Sequence, residues 1–300
     1  MYDVIVVGGG PAGMTAALYA LRNGKSVLIL EKHGFGGQIT YSPRVENVPG
    51  FLSVSGNELA EKMLDQVLAQ GAEVELETVS SVAVQDSLYT VATLEGGRYE
   101  SRAVILAVGV KHRMLGLPGE EDLVGEGISF CAVCDGYFYQ GQEVCVAGGG
   151  NSALQEAILL AGKCRRVTVL QDLPTLTGEK RLQELLLQRD NVTVRCGVKL
   201  TGFQTENGAL SGVTLNTQEI VPCTGLFVAI GLIPENEAFA SVAALNEYGY
   251  FDSDERCTTV TPGLFVAGDC RAKSVRQVTT AAADGAIAAL AACRYIDALA

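Results

Sequence analysis

The chain has 300 residues, of which 48% are hydrophobic and 19% charged, with a formal net charge of -12. This length makes two domains the default expectation, and the apolar content can bury a sizeable core. The acidic balance argues against a nucleic-acid partner or a basic membrane-surface helix, because both need clustered Lys and Arg.

The chain opens directly as a buried strand, Tyr2-Asp3-Val4-Ile5-Val6-Val7, with no basic region before it, which is unlike a signal peptide. After the strand come Gly8-Gly9-Gly10-Pro11-Ala12-Gly13 and an amphipathic helix through Ala16, Ala17, Ala20 and Leu21 that stops at Gly24. A second strand over residues 26–30 delivers Glu31. Together these make a βαβ dinucleotide unit. Gly8 makes the tight turn, Gly10 lets backbone N–H groups approach a pyrophosphate, and Gly13 allows close helix packing. Glu31 follows the glycines by about 20 residues, where a carboxylate accepts hydrogen bonds from a ribose 2′-OH.

Cys131-Ala132-Val133-Cys134 is followed at once by Asp135. A zinc site would need a second cysteine pair or a histidine cluster, whereas His33 and His112 are isolated and the other seven cysteines contain no second close pair in sequence. No metal is expected, and a redox pair leads. Cys145, Cys164, Cys196, Cys223, Cys257, Cys270 and Cys293 read as small core hydrophobes. Such scattered thiols suit a reducing compartment, so the cytoplasm is expected.

A second glycine fingerprint, Gly148-Gly149-Gly150-Asn151-Ser152-Ala153, again stands between a strand (143–147) and a helix (154–161). Gly148, Gly150 and Ala153 take the places of the first fingerprint's glycines. The next strand, 166–170, ends in Gln171-Asp172, which puts Asp172 near the ribose position. An acid there repels a 2′-phosphate, and no Arg or Lys follows before Lys180, so NADH is preferred over NADPH. Near the C-terminus, residues 261–269 form a strand ending in Gly268-Asp269, with a helix starting around Gln277; an acid at such a junction can bind ligand hydroxyls. No apolar run reaches the roughly 18 residues of a membrane span, and the Ala-rich stretch 281–293 is broken by Asp284 and Gly285.

The segments GGGPAG (8–13), GGQIT (36–40), VENVPGF (45–51), CAVCDGYFY (131–139), GGGNSA (148–153), GLFVAIG (225–231), FVAGD (265–269) and RQVTTAAADG (276–285) resemble the low-molecular-weight thioredoxin reductases nearly end to end. The resemblance implies an α/β protein of two Rossmann-like domains, the second inserted in the first. An FAD-binding domain would comprise residues 1–112 and 237–300, and a nucleotide-binding and redox-disulfide domain residues 113–236. Gly- and Pro-rich stretches at 113–119 and 232–236 would be the hinges between them. By the same resemblance FAD lies against Gly8, Gly10, Gly13 and Glu31, with Gln38, Asn47, Asp269 and Gln277 near its ribitol and isoalloxazine. Cys134 faces the flavin, Cys131 attacks the protein disulfide, and Asp135 manages protons. Those roles suit the chemistry, since exchange needs a thiolate and an adjacent carboxyl can move its proton. Tyr137 and Phe138 add apolar surface beside the pair, for core packing or partner contact. The partner implied is thioredoxin or a thioredoxin-like protein, and the assembly a homodimer.

The departures from the family pattern all fall in the inserted domain. Where NADPH-dependent members carry a basic HRRxxxR run, this chain reads Gln171-Asp172-Leu173-Pro174-Thr175-Leu176-Thr177. The family's paired glutamates are reduced to Gln155-Glu156, and its G-H-x-P-N is Gly231-Leu232-Ile233-Pro234-Glu235-Asn236. Relatives lacking the basic run take electrons from NADH, reduced ferredoxin or a deazaflavin. NADH is the donor expected here, reduced ferredoxin or a deazaflavin the alternative. A flavin-dependent dithiol oxidase that passes electrons to oxygen is a second alternative on the same scaffold.

Overall fold

The computed structural model describes residues 1–299, which form two units: residues 1–111 with 233–299, and His112–Leu232. The first unit begins with β1 (Tyr2–Val7), α1 (Pro11–Arg22), β2 (Val27–Leu30), α2 (Gly56–Ala69) and β3 (Glu73–Glu75), then runs through β4 (Val79–Gln85) and β5 (Leu88–Thr93) into β6 (Arg98–Leu106). After the crossing strand β7 (Lys111–His112), the second unit holds β8 (Ile128–Ser129), α3 (Ala132–Asp135), β9 (Glu143–Ala147), α4 (Asn151–Ala161), β10 (Arg166–Gln171), α5 (Lys180–Leu187) and β11 (Val192–Cys196). It continues with β12 (Leu200–Glu206), β13 (Ala209–Leu215), β14 (Ile220–Pro222) and β15 (Gly225–Val228). The return strand β16 (Leu232–Ile233) leads back to β17 (Leu264–Val266) and α6 (Val278–Asp297).

In the first unit the sheet order is β3-β2-β1-β6-β5-β4, with β17 beside the second half of β6. β1, β2, β3, β6 and β17 run parallel, and the β4–β5 hairpin joins antiparallel. Val4 and Val6 face one core, shared with Ala16 and Ala20 of α1 and Ala288 and Ala292 of α6, whereas Ile5 and Val7 face another with Tyr89 and Phe251. A parallel strand covered on both faces has no solvent side, so β1 and β2 are apolar without alternation. The small residues let α1 and α6 come close: a Cβ on Gly285 would sit 2.2 Å from the Ala12 carbonyl oxygen.

The second unit repeats the plan as β11-β10-β9-β15-β8, all parallel, beside a separate antiparallel sheet β12-β13-β14. Val144 and Val146 face α4 through Leu154, Ala157 and Leu160, and Cys145 and Ala147 face Val213 and Leu215 on the other side.

The crossings differ from the expected boundaries. Residues 233–236 pack with the first unit rather than the inserted one, because Asn236 is fully buried there and donates to the carbonyls of Gly249 and Cys270 at 2.9 Å each. Residues 115–117 are held by a local carboxylate. The buried Glu120 carboxylate accepts the N–H groups of Leu115, Gly116 and Leu117 at 2.8, 2.7 and 3.3 Å. Six of the seven cysteines outside the C-x-x-C are buried, and Cys196, on the edge strand β11, is half-buried.

Candidate active site

The first fingerprint turn is built as the residue types require. Gly8 has φ +110°, and a Cβ there would lie 2.3 Å from the Ala107 carbonyl oxygen, so only glycine fits. Its N–H donates to the Leu30 carbonyl at 2.8 Å, which fixes the next residue, Glu31, under the turn. Glu31 is buried; its Oε2 accepts the Gly9 N–H at 2.6 Å and its Oε1 the His33 N–H at 3.0 Å. Gly13 packs so close that a Cβ would meet the Gly8 carbonyl oxygen at 1.8 Å, while nothing lies within 4 Å of a Cβ on Gly10. That leaves open space at the start of α1, where a phosphate group can be approached by backbone N–H groups.

Other residues converge on the same unit. Asp269 follows β17, and the preceding Gly268 abuts Ala12 of α1, where a Cβ on Gly268 would lie 2.8 Å from that of Ala12. Asp269 Oδ1 is sealed from solvent with no hydrogen-bond partner. Burial pushes the carboxyl above its usual pKa, against the pull of Lys273 and Arg276. A buried acceptor without a donor is costly unless a ligand hydroxyl supplies one. Behind it, Asp284 accepts from Gly268 N, Arg271 Nε and Nη2, and Lys273 Nζ, at 3.1, 2.8, 2.9 and 2.8 Å. Asn47 Nδ2 donates to Gln277 Oε1 at 3.1 Å, Gln277 caps α6, and Gln38 Nε2 donates to the Val110 carbonyl. The open turn, the orphaned Asp269 oxygen and these amides fit a dinucleotide cofactor.

The second turn repeats the backbone of the first with a different residue at the acid position. Gly148 has φ +123° and its Cβ would meet the Ala229 carbonyl oxygen at 2.5 Å; its N–H donates to the Leu170 carbonyl at 2.9 Å. Leu170 therefore matches Leu30, and the residue in Glu31's place is Gln171, which is buried with its side chain against Gly149. Asp172 comes one residue later and is exposed, as is Leu173. Around Gly150 the space is open except for Thr177 Oγ1, 3.8 Å from a Cβ there. Ala153 is buried at the matching point of α4.

The redox segment lies between β8 and α4 of the same unit. Cys131 and Cys134 form a disulfide with Cα atoms 5.3 Å apart. Cys131 is the N-cap of α3, and the Cys134 N–H points at its Sγ at 3.1 Å. The buried Ser129 organises the rest: its Oγ donates to Asp135 Oδ2 at 2.6 Å and accepts the Cys131 N–H at 3.1 Å. Asp135 Oδ1 is buried without a partner, and burial raises its pKa while the Ser129 hydroxyl opposes the rise. Val133 and Tyr137 are exposed, with Lys163 Nζ 5.6 Å from the Tyr137 ring centre, and Phe138 is half-buried. His112 stacks on Phe130, the residue before Cys131, with ring centres 4.6 Å apart. The roles of Ser129 and Phe130, and the match of Gln171 to Glu31, come from the strand and helix registers and not from spacing along the chain.

The profile of pyridine nucleotide-disulphide oxidoreductases matches residues 2–285. The thioredoxin reductase of Bacillus subtilis (strain 168) is 38% identical, covering 100% of this chain and 96% of its own length. The chain belongs to the thioredoxin reductase family. The thioredoxin reductase of Treponema pallidum (strain Nichols) is 39% identical over 99% of this chain and 98% of its own. In three dimensions the chain is similar to the thioredoxin reductase of Streptococcus pyogenes MGAS5005, with TM-score 0.94 and 36% identity over 99% of both chains. As a thioredoxin reductase family member it is an oxidoreductase, a flavoprotein disulfide reductase, for which the family implies FAD, a pyridine nucleotide and thioredoxin. Among the described residues no helix is long and apolar enough to cross a membrane, and no group of His, Cys, Asp and Glu could hold a metal ion.

Proposed function

We propose that the chain passes electrons from NADH through FAD and the Cys131–Cys134 pair to the disulfide of thioredoxin or a thioredoxin-like protein. FAD would be held in the first unit by Gly8, Gly10, Gly13, Glu31, Gln38, Asn47, Asp269 and Gln277, with the orphaned Asp269 oxygen as the clearest support. When bound, it supplies a two-electron store between the nucleotide and the disulfide. Opening Cys131–Cys134 takes two electrons and one proton and yields a thiol and a thiolate. Asp135 is suited to move that proton, because burial raises its pKa and one of its oxygens has no other partner. Cys131 is the outward nucleophile, and the Cys134 N–H aimed at its sulfur favours the thiolate form. Its attack on the partner's disulfide forms a mixed disulfide and releases one partner thiolate. Cys134 then displaces the other, and Cys131–Cys134 closes again.

The observation that carries the donor assignment is the second turn. Gln171 stands where the first unit has Glu31, and the exposed Asp172 and Leu173 follow it with no Arg or Lys before Lys180. A 2′-phosphate carries roughly two negative charges near neutral pH, and these residues offer it no cation, whereas a free 2′-OH can bond to Gln171 or Asp172. Anaerobic mixing of the FAD-loaded protein with NADH, NADPH or reduced ferredoxin, read by bleaching of flavin absorbance, tests this. NADH should bleach fastest. Faster bleaching by NADPH contradicts the charge argument, and bleaching by ferredoxin alone replaces the nicotinamide with a protein donor.

A further inference from the structure

Two carboxyls, rather than one, each with an oxygen sealed from solvent, flank the short helix that carries the redox pair. Asp135 ends α3. Glu156, in the middle of α4, lies under its first turn, where the Ala132 N–H donates toward the Glu156 carboxylate. Glu156 Oε2, like Asp135 Oδ1, is sealed from solvent and without a hydrogen-bond partner. Helical spacing puts Glu156 on the face of Ala153 and Leu160, both fully buried. That face packs against α3 closely enough that a Cβ on Gly136, the C-cap of α3, would lie 3.1 Å from Leu160 Cδ2. The neighbouring Gln155 is exposed, so of the two residues only Glu156 meets the redox helix.

A carboxylate so placed is costly to ionise, and Glu156 is pushed up to about 8 by burial, with the Ala132 amide opposing the shift and the negative charge of Asp135 adding to it. The titratable group that acts on it is Asp135, and Ala132, whose amide it approaches, stands next to Cys131 in the segment whose thiols are released when the disulfide opens. We propose that Glu156 is a positioning residue of the disulfide centre, whose own proton sets the charge against which Asp135 and the Cys131–Cys134 pair exchange theirs. This rests on the assignment of that pair and Asp135 to the reaction.

The charge balance gives the direction. Opening the disulfide takes two electrons, those delivered in the family's flavin-dependent reaction, and one proton from solvent by way of Asp135, and leaves one thiol and one thiolate. With Glu156 protonated, the new thiolate shares the helix with no more than one carboxylate. With Glu156 ionised it faces a second, and the open dithiol form is disfavoured. The pair therefore becomes more strongly reducing as pH rises past the point at which Glu156 loses its proton.

The test equilibrates the FAD-loaded full chain with a dithiol/disulfide redox buffer between about pH 6 and pH 9.5 and counts free thiols by alkylation, for wild type and Glu156→Gln. Gln keeps the acceptor for Ala132 N–H and cannot ionise. The two profiles should agree near pH 6, and near pH 9 the equilibrium constant for disulfide opening should be about tenfold larger in Glu156→Gln, which is about 30 mV for a two-electron couple. Superimposed profiles over the whole range in folded Glu156→Gln overturn the proposal. Cys134→Ser assayed alongside separates the two readings: retained thioredoxin turnover in that variant sinks the assignment of the pair, whereas its loss together with superimposed profiles sinks only the role of Glu156. Should Glu156→Gln fail to fold, a reduced-minus-oxidised infrared difference spectrum decides. A protonated-carboxyl band that responds to disulfide opening and survives in Asp135→Asn supports the proposal, and its absence overturns it.

Discussion

Gln171 occupies in the second unit the place that Glu31 occupies in the first. Each follows the leucine whose carbonyl accepts the N–H of the leading fingerprint glycine, at 2.8 Å for Leu30 and Gly8 and 2.9 Å for Leu170 and Gly148. Glu31 uses its carboxylate to accept the Gly9 N–H, while Gln171 lays a neutral carboxamide against Gly149. The two sites thus share a backbone and differ in charge.

Placing cations after Gln171 should change which nucleotide is used. Asp172→Arg with Leu173→Arg should raise kcat/KM for NADPH relative to NADH by about tenfold or more, as expected for new Arg–phosphate bonds. Steady-state kinetics with both nucleotides check this. An unchanged ratio would mean that the phosphate end of the nucleotide does not lie at these residues.

Asp284 should be the most sensitive acid of the first unit. Burial alone would raise its pKa, but the bonds from Arg271 and Lys273 outweigh that and hold it below the usual carboxylate value. Removing it strands two cations whose side chains are 4% and 7% exposed. Asp284→Ala should cost about 3–5 kcal/mol and lower FAD retention, because Gly268, next to Asp269, loses its anchor. Since the folded-state pKa is depressed, the stabilisation is present above the unfolded value of about 3.8 and is lost as pH falls through the lower folded value. Denaturant melts and released-flavin measurements read both effects.

Much of this was legible in the residues, for physical reasons. The turns at Gly8 and Gly148 need positive φ beside a carbonyl, a demand that only glycine meets, and β1 and β2 announce burial on both faces through unbroken apolar runs. The C-x-x-C pair is local enough that three residues of separation bring the sulfurs together. In the second unit the residue that matches Glu31 is Gln171, one before Asp172, because strand ends are set by pairing, and Gly148 N–H to Leu170 carbonyl is a contact that no spacing rule reports. In the sequence Glu156 is only the remnant of a family pair, since its approach to Ala132 depends on how α4 packs under α3. Gly and Pro within residues 113–119 mark a linker, while the carboxylate that holds the backbone of Leu115, Gly116 and Leu117, that of Glu120, lies just beyond it.

Glu120→Ala should therefore destabilise the second unit. Three backbone N–H groups lose their acceptor together, at a cost of about 2–4 kcal/mol. Hydrogen exchange should show Leu115, Gly116 and Leu117 losing protection; wild-type protection in this variant would mean that the bonds contribute nothing.

His112 should make the protein acid-sensitive in a window of its own. Burial pushes its pKa down to about 4 from an ordinary 6.5. The unfolded chain then binds the proton more readily, so stability is full above about pH 6.5 and falls as pH drops toward about 4. His112→Phe, which keeps a ring against Phe130, should lose roughly 3 °C less in Tm than wild type between neutral pH and about pH 5. Parallel melting curves for the two proteins would remove this role.

The claim that electrons reach the partner through the Cys131–Cys134 pair is tested most directly by one variant measured two ways. Cys134→Ser, loaded with FAD, is mixed anaerobically with the donor that reduces wild type, and flavin bleaching and thioredoxin reduction are followed in the same sample. Bleaching should proceed at a rate comparable to wild type, with thioredoxin reduction abolished. Thioredoxin reduced at the wild-type rate by this variant would show the electrons travelling by another route.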